Sequence, residues 1–337
     1  MIPKQSLIIT HENPDIDGVA SSLALYNEMR LHGIKCDVFI PDYRDDSFED
    51  MPFSDCLLYL EDIRKIFKKD YDTVFIVDMP GIDNLPSVIR NFIKKRNIVV
   101  IDHHDVGSKY QYFLTVKDIN ASSTAEVMYK FLKASHSDLD KKTYELLYMG
   151  LLSDSAMFLT QKTTYRTHLI VSEILSNISY KRQIKIRKMV VSSLPKLYFR
   201  VIDWIVDKYI VTVIKNNRKV IFVYVSKYII ELLKDMGLNR KSIMKNIIFD
   251  ISRIYNTDMV VLFIDDAKEK TVILSSLCEL LPHQIIDFSG YHISYGHRYG
   301  GRIYTKHSFE KFVNNVLRSK DKFDVKYGNN FVPFIIL

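Results

Sequence analysis

The sequence predicts an α/β protein: a parallel sheet with helices on both faces, then a linker helix, then a smaller mixed α/β domain. In the first half, apolar β-branched runs alternate with stretches of helical periodicity, which is typical of parallel sheets. The second half instead contains a hairpin signal and paired apolar runs. A length of 337 residues exceeds what one apolar core usually fills, and 47% apolar with 26% charged residues excludes a disordered chain.

Short apolar runs in the first half predict the strands of the parallel sheet. The stretches between and after them have the apolar spacing of helices. The predicted strands are Ser6–Thr10, Lys35–Ile40, Asp72–Asp78 and Asn97–Asp102. The predicted helices are Gly18–Arg30, Ser54–Lys69, Asn84–Lys95, Thr124–Ala134 and Thr143–Ser153.

The second half begins with a basic stretch, Tyr180–Lys188, which leads into an amphipathic segment ending at Lys208. We interpret this segment as a linker helix, so the expected domains cover residues 1–185 and 209–337, with the linker over 186–208. The pair Asn216-Asn217 between two apolar runs predicts a hairpin. Helices are predicted at Lys227–Met236 and Arg240–Tyr255, and strands at Tyr209–Ile214, Lys219–Val225, Met259–Ile264 and Lys270–Ser275.

The composition also bears on where the protein works. The sequence has no run of about 18 apolar residues and no apolar leader, so we expect a cytoplasmic protein without a membrane-spanning helix. Its three cysteines are widely spaced and form no metal-binding or disulfide pattern. The net charge of +7 agrees with an anionic partner, and a base-composition bias of the genome explains it equally well.

Histidine and aspartate residues stand at the ends of the predicted elements of the first half. The segment His11–Gly18 (HENPDIDG) follows the first strand, and Asp78 ends the third. The segment Asp102–Asp105 (DHHD) closes the fourth strand, and Asp154 lies in GLLSDS at the end of a helical stretch. Because the carboxyl ends of parallel strands share one edge, we expect these side chains to converge.

A group of this composition favours divalent metal ions. Carboxylates packed together raise one another's pKa values, and a divalent cation removes that penalty. Carboxylates with imidazoles and no thiolates fit Mn²⁺ best, while Mg²⁺, Co²⁺, Fe²⁺ and Zn²⁺ stay open. Two ions about 3.5–4 Å apart would activate a water and hold a phosphoryl oxygen. Each motif alone also occurs as an ordinary turn, helix cap or packed histidine pair, so the prediction depends on their order and shared edge.

The motifs HxxPDxDG, the strand-end aspartate, DHHD and GLLSDS occur in an order that resembles the DHH phosphoesterase superfamily. The resemblance implies a phosphoric ester hydrolase with two manganese ions, in which the water between the metals is the nucleophile. It implies that His104 contacts the phosphate or positions the leaving group, and that Asp102 supports the site. The implied ligands are His11, Asp15 and Asp78 for one metal, and Asp17, Asp78, His103 and Asp154 for the other.

The segment Ser289–Arg302 (SGYHISYGHRYGGR) is similar to the glycine-rich signature of the DHH-associated substrate domain in nanoRNase/pAp phosphatases and RecJ-type nucleases. Small residues let backbone amides approach an anion, and arginine binds phosphate well. The sequence departs from the family where Ser275 stands in an arginine position. The implied substrate-binding residues are Ser276, Gly296, His297, Arg298, Gly300, Gly301 and Arg302.

The resemblance implies hydrolysis of short oligonucleotides, linear dinucleotides such as pApA, or pAp to 5′-mononucleotides. The expected partners are therefore short RNA or DNA oligonucleotides or small phosphorylated nucleotides, with no membrane, and family members often form homodimers. An inorganic pyrophosphatase or exopolyphosphatase, a cyclic dinucleotide phosphodiesterase and a RecJ-type nuclease stay open as alternatives. A non-catalytic nucleotide-binding protein is the alternative from another class, and the six filled ligand positions argue against it.

Overall fold

The structure, a computed structural model, divides into two units, Met1–Ser193 and Leu194–Leu337. Each unit contains one β-sheet with apolar cores on both of its faces. The structure describes residues 3–44, 46–105, 107–135, 138–190, 196–208, 210–215, 218–234, 240–265, 270–276, 295–297, 300–317 and 324–327.

The first unit contains a parallel sheet, as the sequence predicts. Its strands are β1 (Gln5–Ile9), β2 (Lys35–Phe39), β3 (Leu57–Leu58), β4 (Thr73–Val77), β5 (Asn97–Asp102) and β6 (Leu114–Lys117). They lie in the order β3-β2-β1-β4-β5-β6 and all neighbours are parallel. The direction of strand addition reverses between β1 and β4, and ligands of open α/β sheets bind at the carboxyl side of such a reversal.

Helices cover both faces of this sheet. They are α1 (Ile16–Leu31), α2 (Ile63–Phe67), α3 (Ser87–Ile93), α4 (Thr124–Ser135), α5 (Lys141–Asp154), α6 (Tyr165–Asn177) and α7 (Tyr180–Val190). Along β1, Ile8 faces the core formed with α1, α4 and α5, whereas Leu7 and Ile9 face the core formed with α2 and α3. The strand is buried on both sides, which explains its continuous apolar run.

The helix predicted over Ser54–Lys69 is wrong, since this segment consists of turns, β3 and the five-residue α2. Leu57 pairs in parallel with Val38, a contact distant in sequence that overrides the local helical periodicity. The next predicted helix begins only at Ser87, because Pro86 precedes it in an extended conformation. The sequence analysis did not predict β6 or α6.

The second unit is a mixed sheet with helices. Among the described residues, its helices are α8 (Lys196–Lys208), α9 (Lys227–Lys234), α10 (Arg240–Tyr255) and α11 (Phe309–Leu317). Its strands are β7 (Ile210–Lys215), β8 (Arg218–Ser226), β9 (Met259–Asp265), β10 (Lys270–Ser276), β11 (Tyr295–His297), β12 (Gly300–Thr305) and β13 (Asp324–Tyr327). In the order β11-β12-β10-β9-β8-β7-β13, only β8 and β9 are parallel among the described neighbours.

Two sequence expectations concern the connections in this region. β7 and β8 pair antiparallel up to Lys215 and Arg218, which confirms the hairpin, although Asn216-Asn217 themselves lie outside the described residues. The predicted linker over 186–208 corresponds to the end of α7 and the whole of α8, and the domain limits 1–185 and 209–337 stay a prediction. Within the described residues, no helix combines the length and apolar character needed to cross a membrane.

Candidate metal centre

The carboxyl ends of β1, β4 and β5 bring the predicted histidines and aspartates of the first unit together. These three strands are neighbours at the reversal of strand order. His11 lies two residues after β1, Asp78 directly follows β4, and Asp102 is the last residue of β5. Asp154 comes from a helix, as the last residue of α5.

One group of potential ligands consists of His11, Asp15 and Asp78, whose donor atoms lie within 4.8 Å of one another. His11 Nδ1 is 2.7 Å from the Glu12 carbonyl oxygen, and because a carbonyl only accepts, Nδ1 carries the proton. In the neutral ring this leaves Nε2 as the electron-pair donor, whereas in the protonated ring Nε2 donates to Asp78 Oδ2, which lies 3.4 Å away. Asp15 is the N-cap of α1 and accepts a hydrogen bond of 3.3 Å from the Gly18 N–H.

A second group consists of Asp17, His103 and Asp154, again within 4.8 Å. His103 Nδ1 faces the Ala121 carbonyl oxygen at 3.3 Å, so its Nε2 is also the donor atom of the ring. That Nε2 lies 3.4 Å from Asp154 Oδ2 and 3.9 Å from Asp78 Oδ1. Asp78 therefore lies beside both groups, and it also forms a third potential group with His103 and His104. The two ligand sets that the resemblance implies stay a prediction.

Asp78 has an unusual backbone conformation for a non-glycine residue, with φ at 61°. Its N–H donates to the Ile101 carbonyl at 3.0 Å, which continues the pairing of β4 with β5 by one residue. Left-handed backbone costs about 1–3 kcal/mol and persists where the surroundings over-determine it, which is common at functional sites.

The N-terminus of α4 holds the buried Asp17 and Asp78. The backbone N–H groups of Thr124 and Ala125 donate to the two carboxylate oxygens of Asp17 at 2.7 and 3.0 Å. The Thr124 hydroxyl donates to Asp78 Oδ1 at 2.7 Å. Helix N-termini stabilise anions in this way, and sequence reasoning missed this contribution. The signal was present, since Ser123 and Glu126 form the Ser-x-x-Glu pattern that marks a helix start.

Two glycines provide the space that these carboxylates need. A Cβ atom at Gly18 would lie 3.1 Å from Asp78 Oδ2 and 2.6 Å from the Thr10 hydroxyl oxygen. A Cβ atom at Gly150, inside α5, would lie only 2.6 Å from Asp17 Oδ1. The glycines of the DG and GLLSD motifs are therefore required by close approach to the site.

The electrostatics of the site match a requirement for cations. Burial raises the pKa of Asp17 well above its usual range, and the Asp78 and Asp154 carboxylates raise it further. Burial alone would raise the pKa of Asp78 as well, but the hydrogen bond with His11 and the charge of His104 outweigh it and lower the pKa to about 2. A cradle of closely packed carboxylates and imidazoles, with space kept by glycine, fits hard or borderline divalent ions.

A second pair of side chains, Asp102 and His104, adjoins these groups. His104 Nδ1 donates to Asp102 Oδ1 at 2.7 Å, and Asp102 is completely buried. The other oxygen, Oδ2, accepts no hydrogen bond within the described residues, although Lys117 Nζ lies 3.8 Å away. Burial lowers the pKa of His104, but the hydrogen bond and charge of Asp102 with the charge of Asp78 outweigh this and raise it.

Sequence reasoning also missed Lys162, which lies in the loop after α5. Its Nζ is 3.5 Å from the carbonyl oxygen of His103. Burial lowers the pKa of Lys162 below its usual value, and the nearby Asp154 and Asp102 carboxylates oppose that shift. No motif marks this residue, because its approach to His103 depends on the path of the loop.

The predicted substrate-binding residues form part of the second sheet. Gly300 pairs with His297 on one side and with Ser275 on the other, so these three residues share a row across β11, β12 and β10. Ser276 points to the opposite face, is only 8% exposed, and donates its hydroxyl to the Asp258 carbonyl at 3.0 Å. In the neighbouring rows, Gly301 pairs with Gly296 and the exposed Arg302 pairs with Tyr295, while Arg298 lies outside the described residues.

The first unit is similar to known proteins. A model of the DHH family, N-terminal domain, matches residues 5–151. A Streptococcus mutans protein described as a probable bifunctional oligoribonuclease and PAP phosphatase NrnA is 30% identical over 174 residues, which is 50% of this chain. The match spans about half of that relative, 51% of its length.

Solved structures share the fold at low sequence identity. An exopolyphosphatase-related protein from Bacteroides fragilis superposes with a TM-score of 0.77 at 18% identity, covering 94% of this chain and 92% of that chain. RecJ from Thermus thermophilus, in complex with Mn²⁺, gives a TM-score of 0.50 at 14% identity, covering 92% of this chain and 51% of that chain. At these identities the matches show the fold alone.

Proposed function

We propose that the protein is a metal-dependent phosphoesterase, because residues 5–151 match a model of the DHH family, N-terminal domain. Its proposed substrates are short oligonucleotides, linear dinucleotides of the pApA type, or pAp, which it hydrolyses to 5′-mononucleotides. The observation that carries the proposal is the meeting of two histidine–carboxylate groups at Asp78, beside the Asp102–His104 pair. The Streptococcus mutans relative, named as an oligoribonuclease and PAP phosphatase, supports this substrate class.

The donor set of the site would hold two divalent ions, for which Mn²⁺ is the proposed metal. Such ions supply an activated water and neutralise charge on phosphoryl oxygens. His11 and His103 each have Nδ1 at a carbonyl oxygen, which orients Nε2 towards the carboxylates. The proposed ligands are His11, Asp15 and Asp78 on one side, and Asp17, Asp78, His103 and Asp154 on the other.

His104 is the proposed group for proton transfer or phosphate contact. Asp102 accepts its Nδ1 proton, which sets the orientation of the ring, and Nε2 is the nitrogen that we propose for contact with the substrate. A histidine held by a buried carboxylate can keep a proton for an oxygen that leaves with negative charge. Asp102 is then a positioning residue, because it acts through His104.

The second unit contains the residues that the sequence predicts for substrate binding. We propose that the backbone amides of its glycine-rich rows bind phosphate. Ser276 contributes its hydroxyl to the Asp258 carbonyl, whereas Ser275 shares the row of His297 and Gly300. The proposed contacts are Gly296, His297, Arg298, Gly300, Gly301 and Arg302, whereas Ser276, also expected from the sequence, is buried on the opposite face with its hydroxyl bound to the Asp258 carbonyl.

The decisive experiment measures release of mononucleotide from 5′-phosphorylated ApA RNA and of AMP from pAp, with Mn²⁺. Asp78→Asn keeps the shape of the side chain, and we expect it to lower turnover by more than about a hundredfold, beyond what loss of an outer partner causes. Asp70→Asn is the matched control, because Asp70 is fully exposed and precedes the first residue of β4, whereas Asp78 follows the last. A protein that binds Mn²⁺ but hydrolyses neither substrate would contradict the proposed function.

A further inference from the structure

The chain leaves α5 through a left-handed turn directly after Asp154. Three consecutive residues, Ala156, Met157 and Phe158, have φ values of 47°, 61° and 70°, a region that side chains rarely adopt. Ser155 is fully buried and stabilises the turn, since its hydroxyl accepts from the Phe158 N–H at 2.9 Å. Conformations of this kind occur where a segment must be placed accurately.

This turn brings Lys162 back to the end of β5. Lys162 is half-buried, and its Nζ donates to the His103 carbonyl oxygen over a long distance of 3.5 Å. An ammonium group has three donors, and within the described part of the chain this is the one hydrogen bond it makes. The nearby Asp154 and Asp102 act on it electrostatically without forming an ion pair with it.

The charge balance of the metal centre indicates a role for the Lys162 ammonium group. The carboxylates of Asp15, Asp17, Asp78 and Asp154 carry as much negative charge as two divalent ions carry positive charge. The loaded centre is then close to neutral, although its proposed substrate is an anion. Lys162 would add the net positive charge that such a centre needs to attract phosphate.

We propose that Lys162 binds a non-bridging oxygen of the phosphate held at the metal centre, in a position set by the left-handed turn. This rests on the proposed function, because it assumes that the centre binds metal and phosphate. The chemical class recognised is a phosphate anion, and the residue acts on the substrate directly rather than through a metal ligand.

The test uses the whole chain loaded with Mn²⁺ and measures binding of inorganic phosphate by calorimetry. Lys162→Met removes the charge but keeps most of the side-chain volume, and we expect phosphate affinity to fall about tenfold, as for loss of a hydrogen bond to a charged group. Lys162→Arg retains a cation and should restore most of the affinity. Lys133→Met is the matched control. Lys133 lies in the last turn of α4, about 14 Å along the helix from Thr124 at the metal centre, and it is ion-paired with Glu173.

Two further readouts separate this proposal from a structural role and from the proposed function. Mn²⁺ affinity and the unfolding midpoint of Lys162→Met should stay near the native values, since the lysine is not a metal ligand. Unchanged phosphate affinity in Lys162→Met, or a loss of Mn²⁺ affinity that accounts for it, would overturn the proposal. Hydrolysis of the RNA dinucleotide by the native protein is measured separately, so a failure there contradicts the proposed substrate while phosphate binding still tests Lys162.

Discussion

Gly150→Ala tests whether the space beside Asp17 is needed for metal binding. The added methyl carbon would lie 2.6 Å from Asp17 Oδ1 and 2.7 Å from the Cβ of Ala125, whereas ordinary contact begins at 3.4 Å. The carboxylate, or the helix that carries it, must therefore shift by about 0.8 Å, the difference between 3.4 and 2.6 Å. Asp17 is buried and held by two backbone N–H groups, so it has little room to adjust.

The stability and the metal affinity should respond differently to this change. Overpacking lowers the free energy of unfolding by about 1–3 kcal/mol, whereas alanine in place of glycine inside a helix raises it by about 0.5–1 kcal/mol. The net loss of stability is then at most about 2.5 kcal/mol. A misplacement approaching 1 Å can cost about a hundredfold in function, so we expect Mn²⁺ affinity to fall about 10–100-fold.

The assay is competition between the protein and a chelator for Mn²⁺, together with thermal unfolding of the metal-free protein. Gly107→Ala is the control, because a Cβ atom there would meet no other atom within 4 Å. A folded Gly150→Ala protein that binds Mn²⁺ as tightly as the native one would refute the argument that Gly150 keeps space for Asp17.

Four further predictions concern the same unit. Ala156→Gly should raise the unfolding free energy by up to about 1 kcal/mol, because glycine adopts the left-handed φ without strain; an unchanged or lower midpoint in thermal unfolding would contradict this. Thr124→Val removes the hydroxyl that donates to Asp78 and should weaken Mn²⁺ binding about tenfold or more in chelator competition, with Thr143→Val as a comparison that should leave it unchanged. Lys130→Met removes the cation beside the buried Glu126 carboxylate, but because Lys130 is 39% exposed and Ser122 and Thr167 still donate to Glu126, the expected loss in denaturant unfolding is only about 1–2 kcal/mol, and a loss above about 3 kcal/mol would contradict solvent screening of this pair. Mn²⁺ at a hundred times its dissociation constant should stabilise the native protein by about 2.7 kcal/mol per site, and a midpoint that is insensitive to metal would exclude the site.

The strands and their terminal residues could be predicted because the signal is local. β1, β4 and β5 are buried on both faces, so each is a continuous apolar run that a short window of sequence reveals. Once the sheet is parallel, the residues after these strands must share an edge, and the structure brings His11, Asp78 and His103 together there. The chemistry of the donor set then follows from the residue types alone.

Where prediction failed, the deciding contact was distant in sequence. Helical spacing over Ser54–Lys69 was overridden by the pairing of Leu57 with Val38, which brings β3 to the edge of the sheet. Likewise, the strand pattern of β10 indicates alternation but not register, and only the pairing with β12 shows that Ser275, rather than Ser276, shares the row of Gly300.

The sequence by itself determined the class of fold, the order of the motifs and the residue types at the strand ends, because apolar periodicity and motif spacing are properties of short segments. The tertiary structure decided which groups support those residues. Thr124 donates to Asp78, and Gly150 leaves space for Asp17, because α4 and α5 pack against α1. Lys162 lies near the end of β5 because a left-handed turn follows α5. Such contacts join residues far apart in the chain, and their distances depend on packing that no local pattern encodes.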